Sequence, residues 1–222
     1  MTNFLKKEIE FNKKDKLFLL LGFLFETISI LVVFYLKREL DILSIICSYC
    51  GILSLVLSAS GKISNSLFGI IQTLCYMFAV SIPNRLYGEI FKGCYGLILT
   101  FIGIFIWLKK YDNGRIKTKN MNKKMYLIAL LIALVIFIIS FFVFAYFNDG
   151  RPLLDSLMLS ISLTANILNI LKYSQSWLIY IINNIIGSIL QVSVGNYITM
   201  PLYIFGTLNA IYGYVNWKQN FK

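Results

Sequence analysis

From Leu17 to Trp217 the chain is a succession of apolar runs broken by short polar turns. Each run is close to the ~20 residues a helix needs to cross a bilayer. Eight can be marked: Leu17–Leu36, Ile42–Ser58, Ser64–Ile82, Tyr87–Leu108, Met125–Phe147, Leu153–Leu171, Trp177–Val194 and Ile198–Trp217. Runs of this length leave no room for a soluble domain in 222 residues, and 58% hydrophobic against 14% charged residues agrees. The expected class is an all-α integral membrane protein of about eight transmembrane helices. The first run is longer than a signal-peptide core and no small-x-small cleavage site follows it, so it reads as a retained helix.

The net charge of +11 does not point to nucleic acid, because the basic residues gather in alternate loops. Lys6, Lys7, Lys13, Lys14 and Lys16 precede the first run, and Lys62 follows the second. The basic stretch Lys109 to Lys124 follows the fourth, Lys172 the sixth, and Lys218 and Lys222 the eighth. The intervening turns hold only Lys37, Arg38, Arg85 and Arg151, with acids close by. The positive-inside rule then puts both termini in the cytoplasm of a multi-pass protein in the cell membrane.

Enzyme chemistry finds little purchase. There is no His, no Gly-x-x-x-x-Gly-Lys-Ser/Thr phosphate cradle, and no paired acids at motif spacing. Cys47, Cys50, Cys75 and Cys94 are scattered, and the one C-x-x-C has no second pair to complete a zinc site. No catalytic residue, metal or cofactor is expected.

Polar residues inside the runs carry the functional signal, since an amide at membrane depth is costly unless paired. On a helix over 177–191, Trp177, Tyr180 and Asn184 share a face, with Gln191 further along. The third run carries Asn65, Gln72 and Tyr76, the last two one turn apart. Amides to meet hydroxyls or a carboxamide, and aromatic faces to sandwich a ring, describe a site for a small, flat, polar solute. The competing account is interhelical glue. Trp107 and Trp217 read as interface anchors. Glu26, inside the first run, reads as a subunit or headgroup contact, with proton coupling the sharper alternative. Glu89 and Lys92 lie a short climb from water and need only snorkel. Asp155 favours the start of its helix.

Gly103-x-x-x-Trp107, followed by Leu-Lys-Lys, and Gly213-x-x-x-Trp217, followed by Lys, end the fourth and eighth runs, 217 − 107 = 110 residues apart. Runs two to four and six to eight then form two parallel three-helix repeats joined by a linker helix (3+1+3), plus an extra N-terminal helix. The single domain, 1–222, divides into 1–41 (N-terminal segment and extra helix), 42–108 (repeat one), 109–152 (basic loop and linker) and 153–217 (repeat two). Transporters built this way place the site between repeats.

Four stretches, in order, resemble the PnuC vitamin transporters: Gly61-Lys62-Ile63-Ser64-Asn65 through Phe68-Gly69, Leu86-Tyr87-Gly88-Glu89 through Gly103 to Trp107, Gln175-Ser176-Trp177 through Tyr180 to Asn184, and Asn209 through Tyr212-Gly213-Tyr214 to Trp217. The resemblance covers Gly61 to Trp217. It implies facilitated diffusion of a nucleoside-like vitamin, nicotinamide riboside above all, with trapping by phosphorylation inside the cell, and a homotrimer in the bilayer. Alternatives are a deoxynucleoside, thiamine or riboflavin as solute, or a substrate-binding membrane subunit of a multi-component vitamin importer. Tyr180 stands where the family has a second Trp, which makes it the residue expected to decide which solute enters.

Overall fold

The computed structural model describes residues 11–38, 41–109, 111–112, 115–116 and 118–220. Among them eight α-helices follow one another: α1 (Lys13–Lys37), α2 (Ile42–Ala59), α3 (Asn65–Tyr76), α4 (Tyr87–Lys109), α5 (Lys123–Tyr146), α6 (Pro152–Ile170), α7 (Ser176–Ser193) and α8 (Met200–Asn220). A π-helical segment, Met77–Ser81, extends α3, and a small antiparallel hairpin, Tyr111–Asp112 with Arg115–Ile116, lies in the basic loop.

Local chemistry sets the boundaries. Asn12 and Asp15 exchange side-chain and backbone hydrogen bonds as a capping box at the start of α1. Asp41 and Asn122 cap α2 and α5, and Pro152 opens α6, where a missing N–H costs nothing.

Among the described residues six helices are long and apolar enough to cross a membrane: α1, α2, α4, α5, α6 and α7. The two others are compromised by polar work. The third is twelve α-helical residues before its π segment. The last carries Tyr203, Asn209, Tyr212 and Asn216.

The alternation of loops is visible in the contacts at each end. At one end Tyr212 Oη donates to Asp15, Asn216 to the Ala59 carbonyl, Trp217 to the Ser58 carbonyl, and Lys119 pairs with Tyr173. At the other, Lys37 donates to the Gly195 carbonyl, Arg151 to the Ser193 carbonyl, and Tyr87 N–H to Asp149. The first is the basic end.

The two halves repeat their turns. Gly61 and Lys172, 172 − 61 = 111 apart, both take φ +68° between helices. Around them the bonds Lys62 N–H to Leu57 O and Tyr173 N–H to Leu168 O are the same bond shifted by 111. Arg85 and Gly195 form a second such pair and Arg38 and Asn148 a third, each 110 apart and left-handed. Packing follows the same correspondence: α2 lies on α3 and α8, and α6 on α7 and α4. It extends one helix further, since α1 packs on α2 as α5 packs on α6.

Glu26 does not reach lipid or a surface. It is fully buried, with the Ser48 side chain of α2 beside its carboxyl group. The reason is the face of α1 that turns inward, Gly22, Glu26, Ile30 and Val33 at helical spacing. A Cβ on Gly22 would sit 2.8 Å from both Ile52 and Phe205, so α1 is drawn close just there.

Candidate functional site

A cavity of about 330 Å³ lies among α2, α3, α4, α6, α7 and α8. Among the described residues neither α1 nor α5 contributes to its wall. It begins near Ser58, Asn65 and Asn169 toward the basic end and stops at Tyr76, Glu89 and Tyr203.

Six of the seven expected residues line it: Asn65, Gln72 and Tyr76 from α3, and Trp177, Tyr180 and Asn184 from α7. The seventh, Gln191, does not. It is fully buried one layer beyond, where its Nε2 donates to Tyr76 Oη at 2.6 Å and its Oε1 accepts from Thr199 Oγ1 at 2.8 Å. Helical spacing puts Gln191 on the face of Asn184, but two turns along that face has left the cavity.

The aromatic wall is a corner rather than a parallel slot. Trp177 and Tyr180 rings lie 5.6 Å apart and tilted by 59°. The Trp177 ring is held from behind: Trp217 meets it edge-on at 5.4 Å, and Gly213 makes room, since a Cβ there would fall 2.7 Å from the ring. Trp217 is therefore no interface anchor. It is fully buried and props the cavity wall. The side chain of Trp107 lies outside the described residues. Tyr180 is fixed by donating to Asn166 Oδ1 at 2.7 Å. Two polar atoms of this wall, Trp177 Nε1 and Asn183 Oδ1, are buried with no protein partner. An unmet buried donor and acceptor cost ~1–3 kcal/mol each, so a solute that supplies their complements is favoured.

Glu89 and Lys92 do not snorkel. Both line the cavity, the Glu89 side chain is fully buried, and Lys92 Nζ bonds both its carboxylate oxygens. They share the inner face of α4 with Gly93, Gly96 and Gly103, which also line the cavity. That glycine stripe, at helical spacing, is the signal that marks which way the charges turn. On α6, Ser162, Asn166 and Asn169 form a similar stripe, i, i+4, i+7, whose signal lies in the spacing and not in any one residue. Asp155 sits in the first turn of α6 as expected of an acid, but it also accepts from Gly88 N–H at 2.8 Å and so caps α4. Asn209 bonds the Leu55 carbonyl and Tyr212 reaches Asp15; neither lines the cavity.

A polytopic helical bundle with a polar, aromatic-walled cavity between corresponding halves defines a membrane transporter for a small solute. The family is specific: the sequence model of the nicotinamide mononucleotide transporter family matches residues 41–219, and the chain belongs to that family. Among curated relatives, a nicotinamide riboside transporter PnuC of Haemophilus influenzae is 31% identical, over 85% of this chain and 84% of its own length. Another of the same description, from Neisseria mucosa, is 28% identical over 81% of this chain and 73% of its own. A solved structure described as the crystal structure of the vitamin B3 transporter PnuC superposes with a TM-score of 0.83 at 26% identity, covering 99% of this chain and 97% of that one.

Proposed function

We propose that this protein carries nicotinamide riboside, rather than its mononucleotide, through the central cavity. The carrying observation is electrostatic. Among the described lining residues the charged groups are Glu89 and Lys92, and they neutralise each other. A phosphate monoester would bring up to two negative charges to a wall with no cation left to receive them, at a steep desolvation cost. A nucleoside brings none. The pyridinium ring is a monocation, and an aromatic face favours it by ~0.5–2 kcal/mol. Ribose hydroxyls and the carboxamide match the amides of Asn65, Gln72, Asn183 and Asn184.

The relatives named for nicotinamide riboside support the same choice. The wider reading is facilitated diffusion across the cell membrane without chemical turnover, with both termini cytoplasmic, trapping by phosphorylation inside, and a homotrimer. Titration calorimetry separates the solutes. Nicotinamide riboside is expected to bind and its mononucleotide to bind at least ~100-fold more weakly; equal affinities would overturn the assignment.

A further inference from the structure

A second cavity, about 310 Å³, lies at the end of the bundle opposite the basic end. Lys37, Asp41, Ser44, Asn84, Asn196 and Tyr197 give it a polar wall. It is separated from the central cavity by one buried layer, which includes Cys47, Val80, Leu86, Met158 and Leu190. Tyr76 belongs to this layer and also lines the central cavity. Val194 packs on the same layer and lines the second cavity. The layer is thus bounded by Tyr76 on the central side and by Val194 on the other.

A chain of polar contacts runs through this otherwise apolar layer. Asn196 Nδ2 lies 3.4 Å from Ser44 Oγ, and Asn196 Oδ1 accepts from Thr199 N–H at 2.9 Å. Thr199 Oγ1 donates to Gln191, and Gln191 to Tyr76. Its first members line the second cavity and its last lines the central one. Buried apolar packing does not need such a chain, since replacing a buried polar pair by apolar groups of like shape is nearly neutral for stability. A connection that is broken and remade between two chambers has a use for it.

We propose that the second cavity is the other mouth of the same pathway, a subsite for the hydroxyl-bearing ribose part of the solute, and that Tyr76–Gln191–Thr199 is the latch closing it from the central cavity. The proposal rests on the central cavity being the solute site. Amide, hydroxyl and carboxylate groups suit a polyol, which enters this mouth before the latch opens.

The test uses the full chain in sealed proteoliposomes, with Cys50, Cys75 and Cys94 changed to Ser so that Cys47, fully buried in the layer, is the one thiol left. A membrane-impermeant maleimide is added from the side of the second cavity. Gln191→Leu and the shape-preserving Thr199→Val are each expected to label Cys47 at least ~10-fold faster than the parent. Asn84→Ala, at the second cavity only, is expected to raise the KM of nicotinamide riboside uptake at least ~3-fold with maximal rate kept. Quenching of the intrinsic tryptophan fluorescence by the solute should be retained in Asn84→Ala. Unchanged labelling in both latch variants, or an unchanged KM, overturns this proposal while parental quenching and uptake stand. A parent that neither quenches nor transports overturns the reading of the central cavity, and the subsite with it.

Discussion

Gly206 of α8 lies directly against the Asn184 amide of α7: a Cβ on it would fall 2.9 Å from Asn184 Nδ2. Its counterpart 206 − 96 = 110 residues earlier, Gly96 of α4, has nothing within 4 Å of the same point. The difference recurs further along the two helices, where Trp177 fills the space over Gly213 while Gly103 meets only Ile170 at 3.5 Å. So α7 is packed closely into the glycine face of α8, and the equivalent face of α4 is open at Gly96, only lightly covered at Gly103, and lines the cavity. The proposed solute site is where α4 lacks what α7 supplies to α8.

Gly96→Ala tests this with little structural disturbance. The new methyl enters open space, and in a helix Ala is favoured over Gly by ~1 kcal/mol. Thermal unfolding should be unchanged or raised, while the affinity for nicotinamide riboside falls by roughly 3–10-fold. Gly206→Ala should instead push the Asn184 amide aside, lowering stability and affinity together.

Trp177 and Trp217 touch but should separate in effect. Trp177→Phe keeps a ring against Gly213 and removes the Nε1 donor, so binding should weaken by ~1 kcal/mol, about fivefold, at nearly parental stability. Trp217→Ala removes the buried prop and should cost ~3–5 kcal/mol of stability. Parallel calorimetric titrations and melting curves of the two variants check this.

Glu89→Gln leaves Lys92 as an uncompensated cation in the cavity wall. Stability should fall, by less than the ~3–5 kcal/mol of a fully buried broken pair, because the Lys92 side chain is 19% exposed. Selectivity should shift toward the phosphorylated solute, so the ratio of riboside to mononucleotide affinity should drop at least ~10-fold. Competition binding with both compounds measures it.

Asp149 and Asp155 cap the start of α4 from the second half of the chain, through Tyr87 N–H and Gly88 N–H, each at 2.8 Å. Asp149→Ala should destabilise the fold by ~0.5–2 kcal/mol, as loss of a helix cap does, with solute affinity retained because Asp149 does not line the cavity. Melting curves with and without solute separate the two effects.

The eight helices and most of the lining of the candidate site are legible in the amino-acid sequence, for a definite reason. Apolar length marks a helix, and a polar or aromatic residue recurring every three or four positions marks its inward face; Trp177, Tyr180 and Asn184 satisfy both. What is not legible depends on the neighbours of a face rather than on the face itself. Gln191 continues that stripe, but Tyr76 and Thr199 meet it beyond the cavity's end. Glu89 and Lys92 are near a helix end and so look free to reach water; the glycines beside them show that the stripe turns inward. Trp217 has the sequence of an anchor, and only the approach of α7 to Gly213 makes it a buried prop. Glu26 lies on a helix that the sequence pattern leaves outside the repeats, which suggests an outward contact, whereas Gly22 one turn away brings it into the core.

The chain alone should move a nucleoside cation through its middle, and not a nucleotide. Uptake of labelled nicotinamide riboside into proteoliposomes containing only the purified protein tests this most directly. The predicted result is saturable uptake that ends when inside and outside concentrations are equal, competed by unlabelled riboside and not by a hundredfold excess of the mononucleotide. Absence of uptake, or competition by the mononucleotide as strong as by the riboside, would contradict it.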